Sequence, residues 1–216
     1  MRKRVAGAKY AQINVRGVNA AFKRVFGEKA RAPAGRLVVS RKGSGYFGNF
    51  RGEKPREGRE LVFHLNALPE HVSKIAKVRT EAWARKGSVT HTAIWLFPNK
   101  QAMLTVVQPT ANLKKADLTS KEKRFYYQGN VATAMTAMEY CRRNGIRLFA
   151  VHPEYYRALH LQAGRGMSPE ITSYYKRTIE NAAKGLGREL KRIHADERPF
   201  WEDKGRLFGE SIWELT

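Results

Sequence analysis

TSKEKRFYYQGNVATAMTAMEYCRRNGIRLFAVH, residues 119–152, changes its periodicity once. Thr119-Ser120-Lys121-Glu122 has the spacing of a capping box, in which a hydroxyl and a carboxylate satisfy each other's backbone N–H groups. Tyr127, Val131, Ala134, Met138 and Cys141 then recur at helical intervals. Arg142 and Arg143 fall in the last turn, where cations complement the helix dipole. Gly145 stands where a helix commonly ends in a left-handed residue. After it, IRLFAVH (146–152) is a short apolar run of strand length.

The same signals extend toward the N-terminus. ELVFHLNAL (60–68) reads as a strand, and Pro69-Glu70 opens a helix to about Lys86. SVTHTAIWLF (88–97) and QAMLTVVQ (101–108), separated at Pro98-Asn99, read as a β-hairpin. The predicted order over 60–152 is β-α-β-β-α-β. The expected class is therefore α+β, with a ferredoxin-like core. Trp95 and Phe97 share a strand face with His91 and Ala93. An open sheet face of this kind is a common platform for single-stranded nucleic acid. QAMLTVVQ lacks the Lys/Arg-Gly-Phe pattern of an RNA-recognition motif, so that family is not expected.

Three segments follow: a basic arm, short helix and hairpin (1–59), the core (60–152) and a helical extension with an acidic, aromatic tail (153–216). Val15, Val18, Phe22 and Val25/Phe26 predict a short basic helix over 14–26 ending at Gly27. Pro33-Ala34-Gly35 breaks the chain, and RLVVSRK follows as a strand. Beyond the core, Pro153-Glu154 opens a short helix, and Ser168-Pro169-Glu170 starts a long one expected to reach His194. Gly185 and Gly187 weaken that helix and suggest a close helix crossing. Phe200, Trp201, Leu207, Phe208, Ile212 and Trp213 make the tail too apolar to hang free.

Charge points to a partner. The 216 residues hold 41 Lys and Arg against 19 Asp and Glu, a net charge of +22. Such a field attracts polyanions, and nucleic acid binds it through release of phosphate counterions. No apolar stretch reaches the ~20 residues of a spanning helix, so a membrane is not the expected partner. Residues 1–60 alone carry 16 Lys and Arg against four acids. The expected contacts begin with Arg2, Lys3 and Arg4 in the arm and Arg16, Lys23 and Arg24 on the first helix. Arg41, Lys42, Arg51, Lys54, Arg56 and Arg59 surround GSGYFGNFRG (43–52). There Gly43, Gly45 and Gly48 let the backbone approach phosphate. Tyr46, Phe47 and Phe50 are the candidates for base stacking. In the tyrosine pairs, Tyr127 and Tyr175 lie on apolar stripes. Tyr126 and Tyr174 are thus the expected outward rings, beside Lys123-Arg124 and Lys176-Arg177.

Catalytic chemistry has less support. His64, His71, His91, His152, His160 and His194 show no HxH or HExxH spacing. Aspartate occurs only at 117, 196 and 203, few for a two-metal site. Cys141, the sole cysteine, lies on an apolar stripe and reads as a core thiol. No metal or cofactor is expected. The expectation is a non-enzymatic subunit of a nucleoprotein assembly, coat-like, RNA-guided or ribosome-like, in the cytoplasm or a particle. It would bind RNA or single-stranded DNA and touch other subunits or itself through its C-terminal segment. The alternatives are a metal-dependent nuclease or strand-transfer enzyme using His64, His152 or His160, and a module for an acidic protein partner.

Overall fold

The structure, a computed structural model, describes residues 15–30, 37–42, 59–66, 88–97, 100–109, 119–151, 153, 169–193 and 212–216. The Gly-aromatic stretch, the basic arm, the helix expected over 69–86 and that over 153–162 lie outside them, Pro153 apart.

The chain is mixed α+β. Its described elements are α1 (Val15–Phe26), β1 (Leu37–Lys42), β2 (Arg59–Asn66), β3 (Ser88–Phe97), β4 (Gln101–Pro109), α2 (Ser120–Arg143), β5 (Arg147–Val151), α3 (Pro169–Leu186), β6 (Leu190–Ile193) and β7 (Ile212–Leu215). The strands form one sheet in the order β1-β2-β3-β4-β5-β7-β6. Strands from all three sequence segments join it, so hydrogen bonding crosses both expected segment boundaries.

This order departs from the ferredoxin-like expectation. That fold places its first strand between the third and fourth and pairs every strand antiparallel. Here β2, β3 and β4 form an antiparallel meander, and β4 lies parallel to β5 across the α2 connection. A parallel pair needs such a crossover, and a 24-residue helix supplies it. A bulge between Ala93 and Ile94 shifts the β3–β4 register.

Registers identify the two sheet faces. Ile94, Leu104, Ala150 and Trp213 pair across four strands, and Ala102, Leu148 and Leu215 across three. Helix α2 covers this face: Thr92 Oγ1 lies 3.0 Å from Thr133 Oγ1, and the Phe63 and Tyr140 rings are 5.7 Å apart. Helix α3 packs beside α2, and α1 packs on both. On the opposite face, Met103 pairs with Trp95 and Phe149. Ala93, Met103 and Phe149 are buried there. The centre of the sheet is thus buried on both sides, which corrects the expectation of an open binding face.

The helix ends obey local rules. Thr119 accepts from the Glu122 N–H while Glu122 accepts from the Thr119 N–H, the reciprocal cap the sequence predicts. Gly145 at φ +62° closes α2, with Ile146 N–H donating to the Cys141 carbonyl. Gly187 at φ +67° closes α3 in the same way, with Arg188 N–H donating to the Ala183 carbonyl. The long helix expected to reach His194 therefore stops at Leu186. Leu190 and Ile193, which fit the helical stripe, belong to a strand instead.

At the end of α2, Glu139 is buried yet ionised. Arg142 Nε and Nη2 donate to its two oxygens at 2.8 and 2.7 Å, and Arg143 Nε adds a third bond at 2.7 Å. The Arg142 hydrogen bonds lead in holding its carboxyl down at about 2, against the opposing effect of burial. A depressed carboxylate stabilises the fold above its unfolded pKa and loses that contribution as protons bind the native form. Stability should therefore fall as pH drops from about 4.5 toward 2. Acid titration of the denaturant midpoint checks this, and Glu139→Gln should flatten the curve over that window.

Candidate nucleic-acid interface

Six of the described cations lie on, or just after, helical segments that meet at a junction of the three helices. Tyr127, in the second turn of α2, ties it together. Its ring meets Phe26 at the end of α1 edge-on at 6.2 Å and Tyr174 of α3 at 5.4 Å. Its hydroxyl accepts from Asn181 Nδ2 at 2.7 Å and approaches the Arg177 carbonyl at 3.4 Å. Burial dominates in raising the Tyr127 phenol above its usual range.

Charged side chains border each of these contacts. Lys123 and Arg124 stand one turn before Tyr127, on its side of α2. Lys23 lies one turn before Phe26 and Gly27, and Lys29 just after. Lys176 and Arg177 occupy the outer surface of α3. All six are exposed. Glu28 is 3.6 Å from Lys23, and Glu180 is 3.9 Å from Lys176. These exposed pairs are too weak to cancel the field. Arg24 is tied down differently: its Nε donates to the Gly185 carbonyl at 2.7 Å, which fixes α1 against the end of α3.

The first tyrosine pair corrects the sequence expectation. Tyr126 is fully buried, and Tyr127 is the half-exposed member of the pair. Burial, assisted by the Glu122 charge, pushes the Tyr126 phenol up to about 12. Tyr174 is partly exposed beside the buried Tyr175, as expected, with its hydroxyl covered; Tyr126 offers no ring face to a base in this packing. The reason is that α2 lies between the sheet and two other helices. From Gly129 to Glu139 it is buried all round, so a single apolar stripe does not mark its inner face. Asn130 is fully buried within this packing, its amide beside the Tyr174 hydroxyl.

Arg16, Arg41, Lys42 and Arg59 stand in α1, β1 and β2, with Arg41 and Lys42 paired in register with Leu61 and Glu60. Arg2, Lys3, Arg4, Tyr46, Phe47, Phe50, Arg51, Lys54 and Arg56 lie outside the described residues.

Cys141 is packed in the core, and burial pushes its thiol up to about 12. A thiol so protonated is a poor nucleophile. Iodoacetamide should label it no faster than the protein unfolds. Mass spectrometry of a labelling time course, with and without denaturant, checks this. Among the described residues, no three His, Cys, Asp or Glu side chains cluster closely enough to hold a metal ion. No described helix is long and apolar enough to cross a membrane.

No protein-family model matches the chain, and no curated protein matches it in sequence.

Proposed function

We propose that this chain is a nucleic-acid-binding subunit of a nucleoprotein assembly, gripping RNA or single-stranded DNA mainly by its phosphates. The net charge of +22 carries the reading. The six exposed cations around the Tyr127 junction support it by giving part of that charge a rigid setting. Phosphate contacts need cations at fixed positions but no base-edge geometry, which suits a surface of this kind. The GSGYFGNFRG stretch supplies stacking rings beside its own cations, and the basic arm adds charge. Such a subunit works in the cytoplasm or within a particle, with other protein copies around it.

Binding to a single-stranded RNA, a single-stranded DNA and a duplex DNA, each across a salt series, tests the proposal. The expected result is a steep negative slope of log affinity against log salt. Flat or absent binding to all three overturns it. Tyr46→Ala combined with Phe47→Ala should weaken single strands more than duplex, since unpaired bases are free to stack.

A further inference from the structure

A second feature lies away from the Tyr127 junction, where the end of α3 passes over the β6–β7 pair. A cleft of about 260 Å³ opens there, lined by Glu180, Ala183, Lys184, Arg188, Leu190 and Trp213. Its construction follows from the chain reversal at Gly187. The left-handed turn ends α3 and brings Arg188 back beside the strands. Arg188 Nε donates to the Thr216 carbonyl at 2.7 Å, and its Nη2 reaches the Leu215 carbonyl at 3.5 Å. The guanidinium is thereby held in place rather than left to wander, so little side-chain entropy remains to be lost on binding.

The chemistry of the walls is divided. Leu190 and the small part of Trp213 left exposed, 8 %, make a narrow apolar floor on the helix-covered face of the sheet, with buried Ala183 beside it. Lys184, exposed on α3, stands with Arg188 at the rim, and Glu180 is the single carboxylate among the lining residues. Arg192 pairs in register with Trp213 and adds another cation on that face. A ligand matching these walls has an anionic end for the rim and a flat, weakly polar body for the floor. The volume falls just below the ~300 Å³ lower bound for drug-sized sites, which limits the body to one small ring system.

We infer that this cleft seats one nucleotide of the bound strand, its phosphate between Lys184 and Arg188 and its sugar or base over Trp213. The inference rests on the nucleic-acid reading above and adds a discrete subsite to a surface otherwise made of dispersed phosphate contacts. Glu180, at the rim, disfavours a second phosphate beside the first, so a nucleoside monophosphate fits better than a polyphosphate.

The test uses the full chain, titrated with uridine 5′-monophosphate, uridine, inorganic phosphate and a ten-nucleotide RNA, followed by the Trp213 indole and Gly187 amide signals in NMR spectra. The monophosphate should shift both signals and bind more tightly than uridine or phosphate alone. Lys184→Gln, at an exposed helical position that leaves the fold intact, should lower its affinity about tenfold, the loss of one charge-assisted contact. A monophosphate that binds no better than uridine overturns the inference, as does an affinity unchanged in Lys184→Gln. Inorganic phosphate binding as tightly as the monophosphate also overturns it, because the floor then contributes nothing. If these failures occur while the ten-nucleotide RNA still binds with a steep salt slope, the cleft alone is wrong. If the RNA fails too, the functional reading falls with it.

Discussion

Gly185→Ala should destabilise the protein, although alanine is the better helix former. Inside an exposed helix the exchange ordinarily gains about 1 kcal/mol. At this position α3 crosses α1 over α2, and a Cβ would overlap Met135 Cε and stand 2.7 Å from the Ala21 carbonyl oxygen and 2.8 Å from Val25 Cγ2. Methionine can rotate away, but the Ala21 oxygen belongs to helix backbone and cannot. The helices must separate or the residue must distort, a cost of about 1–3 kcal/mol. Gly185→Val adds two methyl groups in the same space and should cost more. Arg24, whose Nε reaches the Gly185 carbonyl, would lose its bond as the helices part. Denaturant unfolding of wild type and both variants reads the effect. Gly187→Ala is the internal contrast. Its Cβ would meet open space, so only the left-handed backbone, worth roughly 1–2 kcal/mol, opposes it. A Gly185→Ala protein as stable as wild type would mean that the three helices do not cross closely here.

The two glycines show which parts of the fold the sequence revealed. Both are visible as breaks in a helical pattern, and a close crossing was expected of the pair. Only Gly185 makes the crossing, while Gly187 ends the helix. Periodicity carried the expected helix on to His194 because Leu190 and Ile193 happen to continue the α3 stripe. A stripe records apolar spacing and is blind to the φ of one residue. The capping box at Thr119 and the C-terminal glycine at 145 were legible because each is a local hydrogen-bonding device. Strand order is not local. The described elements between 88 and 151 follow the sequence expectation closely, yet the sheet joins β4 to β5 in parallel and draws in β7 from the tail. Those neighbours are chosen by which apolar faces meet, and the linear pattern does not encode that choice. Of the tail residues that read as too apolar for solvent, the two that are described, Ile212 and Trp213, are buried in the sheet.

The candidate site divides in the same way. Exposed cations were readable, because Lys and Arg off an apolar stripe face water whatever the packing. Lys23, Lys123, Arg124, Lys176 and Arg177 are exposed as expected. The aromatic partner in α2 is not readable in this way. The rule that one of two neighbouring tyrosines faces out assumes a helix with one buried side, and α2 has several. Tyr127, placed on the stripe, instead became the half-exposed hinge of the junction, signalled only by its place one turn after Lys123 and Arg124.

That junction makes a quantitative claim about binding. Replacing Lys23, Lys123, Arg124 and Lys176 by glutamine removes four charges without touching Tyr127 or the core. Each phosphate contact contributes a slope of roughly 0.7 in log affinity against log salt for a single strand. Four contacts therefore account for a slope of about 2.8, or a ~50-fold loss of affinity between 50 and 200 mM salt. The variant should lose that much of the salt sensitivity while unfolding at an unchanged denaturant midpoint, since exposed cations add little to stability. Filter binding of a single-stranded RNA over this salt range measures the slope. Lys123→Arg with Lys176→Arg, which keeps the charge, should leave the slope in place. If the fourfold variant keeps the wild-type slope, the strand runs elsewhere, and the cations flanking GSGYFGNFRG become the surface to neutralise next.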